Sequence, residues 1–387
     1  MRNTILISAF LSCCISAGAA DGFTLKGSIP GMPAGTTISL VKQYLGGQDQ
    51  IAEVTASGNE FVITGSVSAP TLCEIRLDAP GEEMGKAISL MVENTDISVS
   101  APGYESLPPS FYFGTEGLEQ EKNITVTGGQ AQKEYKEYKD TLYPYNFAKN
   151  KAHFDLYWGD EKGTRDSATE KKVADEFSKA NVALGNANLE FIKSHPDYSI
   201  SGLLLTQMLA EPFAFTPAEL DGFAASVSGM WDKARLEGVN KAIENSRKFT
   251  KLDNYTDFAA LDTEGNEQKL SSLLENNKYT LIDFWASWCG PCRVAIPHVK
   301  ELHQKYSDKL NVISVSLDSD EKPWRKAMEK EQMEWKQLWA DKERVNGVRD
   351  PYQIKGIPFL LVIDPSGKIA FAGHGPDELS DFLSKNL

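Results

Sequence analysis

Cysteine, basic charge and long apolar runs are all scarce in this chain. Five cysteines among 387 residues do not suggest a disulfide scaffold. Forty Lys and Arg against 54 Asp and Glu leave a formal net charge of −14, which argues against nucleic acid and against an anionic membrane surface as partners. After the first twenty residues no stretch is long and apolar enough to span a bilayer. A second CxxC and an HxxxH are also missing, so a structural zinc site would lack half its ligands. The length, 387 residues, suffices for two or three domains with cores of their own.

What is present centres on Leu281 to Cys292, LIDFWASWCGPC. Tyr279 to Trp285 is almost continuously apolar, the pattern of a strand covered on both faces, and a helix is expected to begin at the cysteines. A helix N-terminus favours negative charge, so Cys289, at the exposed start, is expected to have a lowered pKa and to attack disulfides as a thiolate. Cys292, one turn further in, is the expected resolving thiol. Gly290 allows close approach of a substrate backbone, and Pro291 lacks an N–H that the first helical turn would leave unpaired. Haem attachment is excluded because Arg293 stands where a c-type motif needs His.

With these residues the chain resembles the thioredoxin superfamily. The resemblance assigns Asp283, six residues before Cys289, as the buried carboxylate that relays a proton to the resolving thiol; in an apolar strand its pKa is expected to be raised. Pro297 matches the kink proline of the active-site helix. Gly356-Ile357-Pro358 matches the loop whose cis proline faces the dithiol, and cis bonds are largely confined to X-Pro. Trp288, Gly290, Pro291 and Ile357 are the implied substrate contacts. No metal is expected, and no cofactor beyond the redox-active Cys289-Cys292 pair.

In chain order, residues 1–20 read as an export signal: Arg2, an apolar run from Ile5, then small residues through Ala20. Cleavage near Ala20 is expected, and lipidation at Cys13 or Cys14, which loosely resemble a lipobox, is the alternative. Residues 21–128 read as an all-β sandwich or barrel-like domain, with strands at Phe23 to Ile29, Thr37 to Val41, Phe61 to Val67, Leu72 to Leu77, Ile88 to Glu93 and Ile97 to Val99. Cys73 alternates with Ile75 and Leu77 and is expected to be buried and inert. The opening FxLxG, the SGNEFVITG hairpin and the MVEN segment resemble the uncharacterised β domain (DUF4369) often found ahead of exported thioredoxin-like domains in Bacteroidetes.

Residues 129–250 read as helical. Val173, Phe177, Ala180, Leu184, Ala187 and Phe191 form one apolar stripe ending before His195-Pro196, and Thr216-Pro217-Ala218-Glu219 has the pattern of a capping box. The helices could pack on a neighbouring domain or pair two chains into a homodimer. Residues 251–387 resemble exported thioredoxin-like proteins of the TlpA and ResA type, an α/β thioredoxin fold. Its leading hairpin falls at Tyr255 to Leu270, and a helix-rich insertion carries Trp324, Trp335 and Trp339. Those relatives commonly have Glu where this chain has Ala295, which leaves Asp283 as the only obvious buried carboxylate beside the dithiol.

The resemblance implies a thiol-disulfide oxidoreductase working in the periplasm or cell envelope on substrate proteins with disulfides. Thioredoxin lies near about −270 mV and a strong periplasmic oxidant near about −120 mV, and the Gly-Pro between the cysteines resembles the reducing end. The expectation is a reductase recharged by a membrane thiol-electron transporter, with isomerase or oxidase as the alternative directions. A client-binding, chaperone-like module with secondary redox activity is a further alternative. A peroxiredoxin is disfavoured because the Trp-Cys-Gly-Pro-Cys context lacks the Pro and Thr framework of a peroxidatic cysteine.

Overall fold

The computed structural model describes residues 22–387 apart from 45–46, 113 and 161–163. The expected signal segment with Cys13 and Cys14 lies outside these residues. Among those described, no helix is long and apolar enough to cross a membrane.

The chain opens with β1 (Phe23–Ser28), β2 (Thr37–Tyr44), β3 (Gly47–Thr55), β4 (Glu60–Gly65), β5 (Thr71–Asp78), β6 (Lys86–Val92) and β7 (Asp96–Ser100), then a short helix α1 (Glu116–Glu121) and β8 (Thr125–Thr127). They form two four-stranded sheets, ordered β4-β1-β7-β8 and β3-β2-β5-β6. Alternation drives the sandwich: Phe23 and Leu25 of β1, Phe61 and Ile63 of β4, and Ile97 and Val99 of β7 all join one core with Ile38, Leu40, Ile75 and Leu90 of the second sheet. Gly27 is required where it stands, because a Cβ there would lie 2.0 Å from the Phe61 ring. Cys73 is unpaired and buried, and burial pushes its thiol up to about 12 against the opposing charge of Lys42. Strand β3 was not expected. Its sequence, GQDQIAEVT, is polar because it is a sheet edge, so it carries little of the apolar alternation that marks the other strands.

Strand β6 is covered on both faces. Ile88, Leu90 and Val92 enter the sandwich core, while Met91 joins a second cluster with Ala131, Tyr135, Leu142, Phe191 and Ile200. That cluster belongs to the helical region: α2 (Gln130–Tyr157), α3 (Ser167–Ser194), α4 (Ser199–Met208), α5 (Pro217–Ser226) and α6 (Lys233–Ser246). Gln132 Oε1 accepts the Met91 backbone N–H at 2.8 Å, tying α2 to β6. Buried Glu134 accepts from Ser199 N–H at 2.7 Å and from the Trp231 indole at 2.6 Å, locking α2 to the helices that follow. The capping box at Thr216 and Glu219 is formed in both directions. Tyr135 and Tyr138 are packing residues, the latter edge-on to Phe191 at 5.3 Å. The stripe on α3 is deeply buried only at Phe191; Val173, Phe177, Ala180 and Leu184 are half-buried.

The remaining elements are β9 (Ala259–Leu261), β10 (Glu267–Lys269), β11 (Tyr279–Trp285), α7 (Gly290–Lys305), β12 (Leu310–Ser316), α8 (Glu321–Glu331), β13 (Lys336–Trp339), α9 (Val345–Arg349), β14 (Phe359–Ile363), β15 (Ile369–Gly373) and α10 (Pro376–Asn386). They build one seven-stranded sheet ordered β10-β9-β13-β12-β11-β14-β15. Strands β11, β12 and β13 are parallel, and β14 runs antiparallel to β11. The expected helix-rich insertion therefore also carries a sheet strand, β13, which ends at Trp339. Trp324 is fully buried and stacks on Trp339 at 6.0 Å. Phe213, from the helical region, is buried in the same cluster as Phe258, Phe284 and Tyr352. It sits in left-handed backbone with φ of 56°, a strain that an aromatic residue accepts only under strong packing.

Candidate functional site

Strand β11 presents Leu281 and Trp285 to the cluster under α7 that contains both Cys289 and Cys292, and Ile282 and Phe284 to the opposite face. Alternation puts Asp283 on the same face as Leu281 and Trp285. It is only 3% exposed, and desolvation lifts its carboxyl to about 7, opposed by a hydrogen bond from Ser314. Ser314 Oγ donates to Asp283 Oδ2 at 2.9 Å and itself accepts the Trp335 indole N–H at 2.9 Å. An indole N–H can only donate, so it holds the Ser314 oxygen as acceptor and leaves the hydroxyl proton for Asp283.

Cys289 is the N-cap of α7 and its sulfur accepts the Cys292 backbone N–H at 3.1 Å. The two cysteines form a disulfide. Cys289 was expected at an exposed position, but it is only 4% exposed and Cys292 1%. What faces solvent is its surroundings: Trp288 is 70% exposed, and Gly290 and Pro291 are exposed. A Cβ on Gly290 would meet nothing within 4 Å, so the space above the motif is open. Opposite lies the Ile357 carbonyl, 3.6 Å from the Cys289 sulfur, and the Ile357-Pro358 bond is cis. Pro297 lies inside α7, and Arg293 is spent on Glu331 of α8, Nε to Oε1 at 2.8 Å.

Asp283 is not the only buried carboxylate near the motif. Asp318, 2% exposed, accepts from Ser287 N–H at 2.9 Å, Ser287 Oγ at 2.6 Å and Ser316 Oγ at 2.7 Å. It thereby fixes the loop two residues ahead of Cys289. Sequence reasoning missed it because it follows β12, and only the parallel pairing of β11 with β12 carries it to Ser287.

Beside the motif a cleft of about 590 Å³ runs between α3 and the redox region, lined by Phe177, Pro291, Val294, Ala295, Pro358 and His374 among others. Ala295 supplies no carboxylate there. Among the described residues one group could hold a cation: ligand atoms of Asp175, His298 and Asp377 lie within 4.8 Å of one another. His298 Nε2 lies 3.6 Å from Asp175 Oδ1, a contact that joins α3 to α7.

A dithiol at a helix N-cap, a facing cis proline, and a parallel core strand flanked by an antiparallel one together define the class: a thiol-disulfide oxidoreductase of thioredoxin fold. Known proteins agree. A family model described as thioredoxin-like matches residues 276–369, and one described as a domain of unknown function, DUF4369, matches residues 23–135. Thioredoxin 1 of Nostoc sp. is 44% identical over 117 residues, 30% of this chain and 86% of that protein. Thioredoxin 1 of Synechococcus elongatus is 48% identical over 48 residues, 12% of this chain, and the chain spans less than half, 45%, of its length. A solved thioredoxin domain of a Bacteroides vulgatus thiol-disulfide oxidoreductase is similar at 29% identity and TM-score 0.34, covering 35% of this chain and 97% of that one. Through its C-terminal region the chain belongs to the thioredoxin family.

Proposed function

We propose that this protein is an exported reductase of disulfides in substrate proteins. In the forward step the Cys289 thiolate attacks one sulfur of a substrate disulfide, forming a mixed disulfide and releasing the other sulfur as a thiolate that takes up a proton. The Cys292 thiol then passes its proton toward the Asp283 carboxylate and attacks the Cys289 sulfur. The second substrate thiol leaves, and the protein is left with the Cys289-Cys292 disulfide. Two electrons and two protons from a second dithiol restore it, and a membrane thiol-electron transporter is the reductant this reading requires. Trp288, Gly290, Pro291 and Ile357 border the path of the substrate chain, with cis-Pro358 opposite the dithiol.

The observation that carries the reading is the Cys289-Cys292 pair at the α7 N-cap with Asp283 buried on the adjoining face of β11. A carboxyl at about 7 can accept a proton at neutral pH and return it, which an ordinary carboxylate does poorly. The Gly-Pro spacer supports the reducing direction. The deciding experiment is the reduction potential of the pair, equilibrated against dithiothreitol and read by thiol alkylation. A value near about −270 mV is expected, and one near about −120 mV would make the protein an oxidant.

A further inference from the structure

The carbonyl of cis-Pro358 accepts a hydrogen bond from His374 Nδ1 at 2.6 Å, and the other ring nitrogen, Nε2, lies 3.2 Å from Glu211 Oε2. His374 follows β15, while Glu211 belongs to the turn after α4, so one imidazole joins the proline loop to the helical region. The Phe359 ring meets it edge-on at 5.4 Å and holds its plane. Both oxygens facing the ring only accept hydrogen bonds. A neutral imidazole has one N–H and can satisfy one of them; the imidazolium satisfies both. The loop it grips is the one whose Ile357 carbonyl stands 3.6 Å from the Cys289 sulfur.

We propose that His374 is a positioning residue for disulfide exchange, bridging Glu211 to the cis-Pro358 carbonyl and so letting the helical region set the proline loop against the dithiol. The inference rests on the reading of Cys289 and Cys292 as the exchanging pair. The charges around the bridge favour the doubly protonated ring. Glu211 raises the His374 pKa above 6.5 by its hydrogen bond, against burial, with the Pro358 carbonyl and Glu378 of α10 adding to the rise. His374 in turn lowers Glu211, to which Lys355 contributes, while Lys251 and Asp377 act on Glu378. The sign follows: the bridge is complete below the ordinary histidine pKa and loses one bond as pH rises through the raised value.

The test uses the full chain, pre-reduced, in single turnovers against insulin and against oxidised glutathione at pH values from about 5.5 to 8.5, spanning the histidine range. His374→Ala is expected to slow insulin reduction about tenfold at the acid end, the value of one hydrogen bond, and to slow glutathione far less because that substrate presents little main chain to the loop. His374→Gln, which can donate to Pro358 at any pH, should restore part of the rate and remove the histidine inflection. Glu211→Gln should fold normally and shift the His374 imidazole titration downward, read by NMR. Equal insulin rates for wild type and His374→Ala at every pH would overturn the proposal, as would an imidazole that titrates at its ordinary value and ignores Glu211→Gln. A wild-type protein that exchanges nothing would instead remove the reading of the dithiol, and the NMR titration would still decide the bridge.

Discussion

Cys73 in the sandwich and Cys289 in the redox region are nearly equally buried, at 1% and 4% exposed, yet their surroundings differ in kind. Cys73 lies mid-strand, where its neighbours on the core face are Ile75 and Leu77 and burial lifts its thiol to about 12. Cys289 caps α7 and receives the Cys292 N–H at 3.1 Å, with the positive end of the helix behind it. Burial without donors favours the neutral thiol, whereas an N–H donor and a helix N-terminus favour the thiolate.

The comparison breaks most visibly at the cysteines themselves. Cys289→Ser is expected to lower disulfide exchange by about a thousandfold or more, whereas Cys73→Ala should leave the rate unchanged, both measured by insulin reduction. Unchanged turnover in Cys289→Ser would sink the assignment. Alkylation of the reduced protein sharpens the contrast. At neutral pH a thiol at about 12 is ionised in about one molecule in 10⁵, so Cys73 should react with iodoacetamide only when the sandwich opens, long after Cys289.

Asp283 extends the comparison to an acid. Its carboxyl holds a proton in the folded state up to about pH 7 and in the unfolded chain only to about 3.8. Between those values the folded form binds more protons, so stability falls as pH rises, by up to about 4 kcal/mol, and is flat outside the window. Asp283→Asn should flatten that slope in urea unfolding at pH 4 and pH 8, and leave the variant more stable than wild type at the alkaline end. In single turnovers the same variant should slow resolution by Cys292 but not the first attack. Ser314→Ala, which removes the one hydrogen bond opposing the shift, should raise the Asp283 pKa further and move the inflection upward. The smallest effect belongs to Cys73→Ala, about 1 kcal/mol of stability for a small cavity.

The dithiol was legible in the sequence because it is local: an apolar strand runs directly into Cys289 and Cys292, and the family resemblance then assigned Asp283 and Pro297 within the same fifteen residues. The facing Ile357-Pro358 pair was reachable only through family resemblance. Ser314, Trp335, Asp318, His374 and Glu211 were not found. Each acts through contacts made across the sheet or between regions, and an isolated Ser, Trp or Glu carries no pattern that says what it will touch. The sandwich strands were legible where they alternate, and missed at β3, where polar residues replace the alternation, and at the three-residue β8. The covered position of Cys289 was also out of reach, since it depends on how the proline loop closes over α7.

Phe213 has a thermal consequence. Its ring plants the helical region in a core cluster otherwise built by the redox region, so heating is expected to melt the two together in a single calorimetric transition rather than in sequence. Cutting the chain at Lys251 would expose the Tyr352 ring, which lies 6.2 Å from that of Phe213. The excised redox fragment should then melt earlier than the same residues do in the whole protein and cling to itself at high concentration.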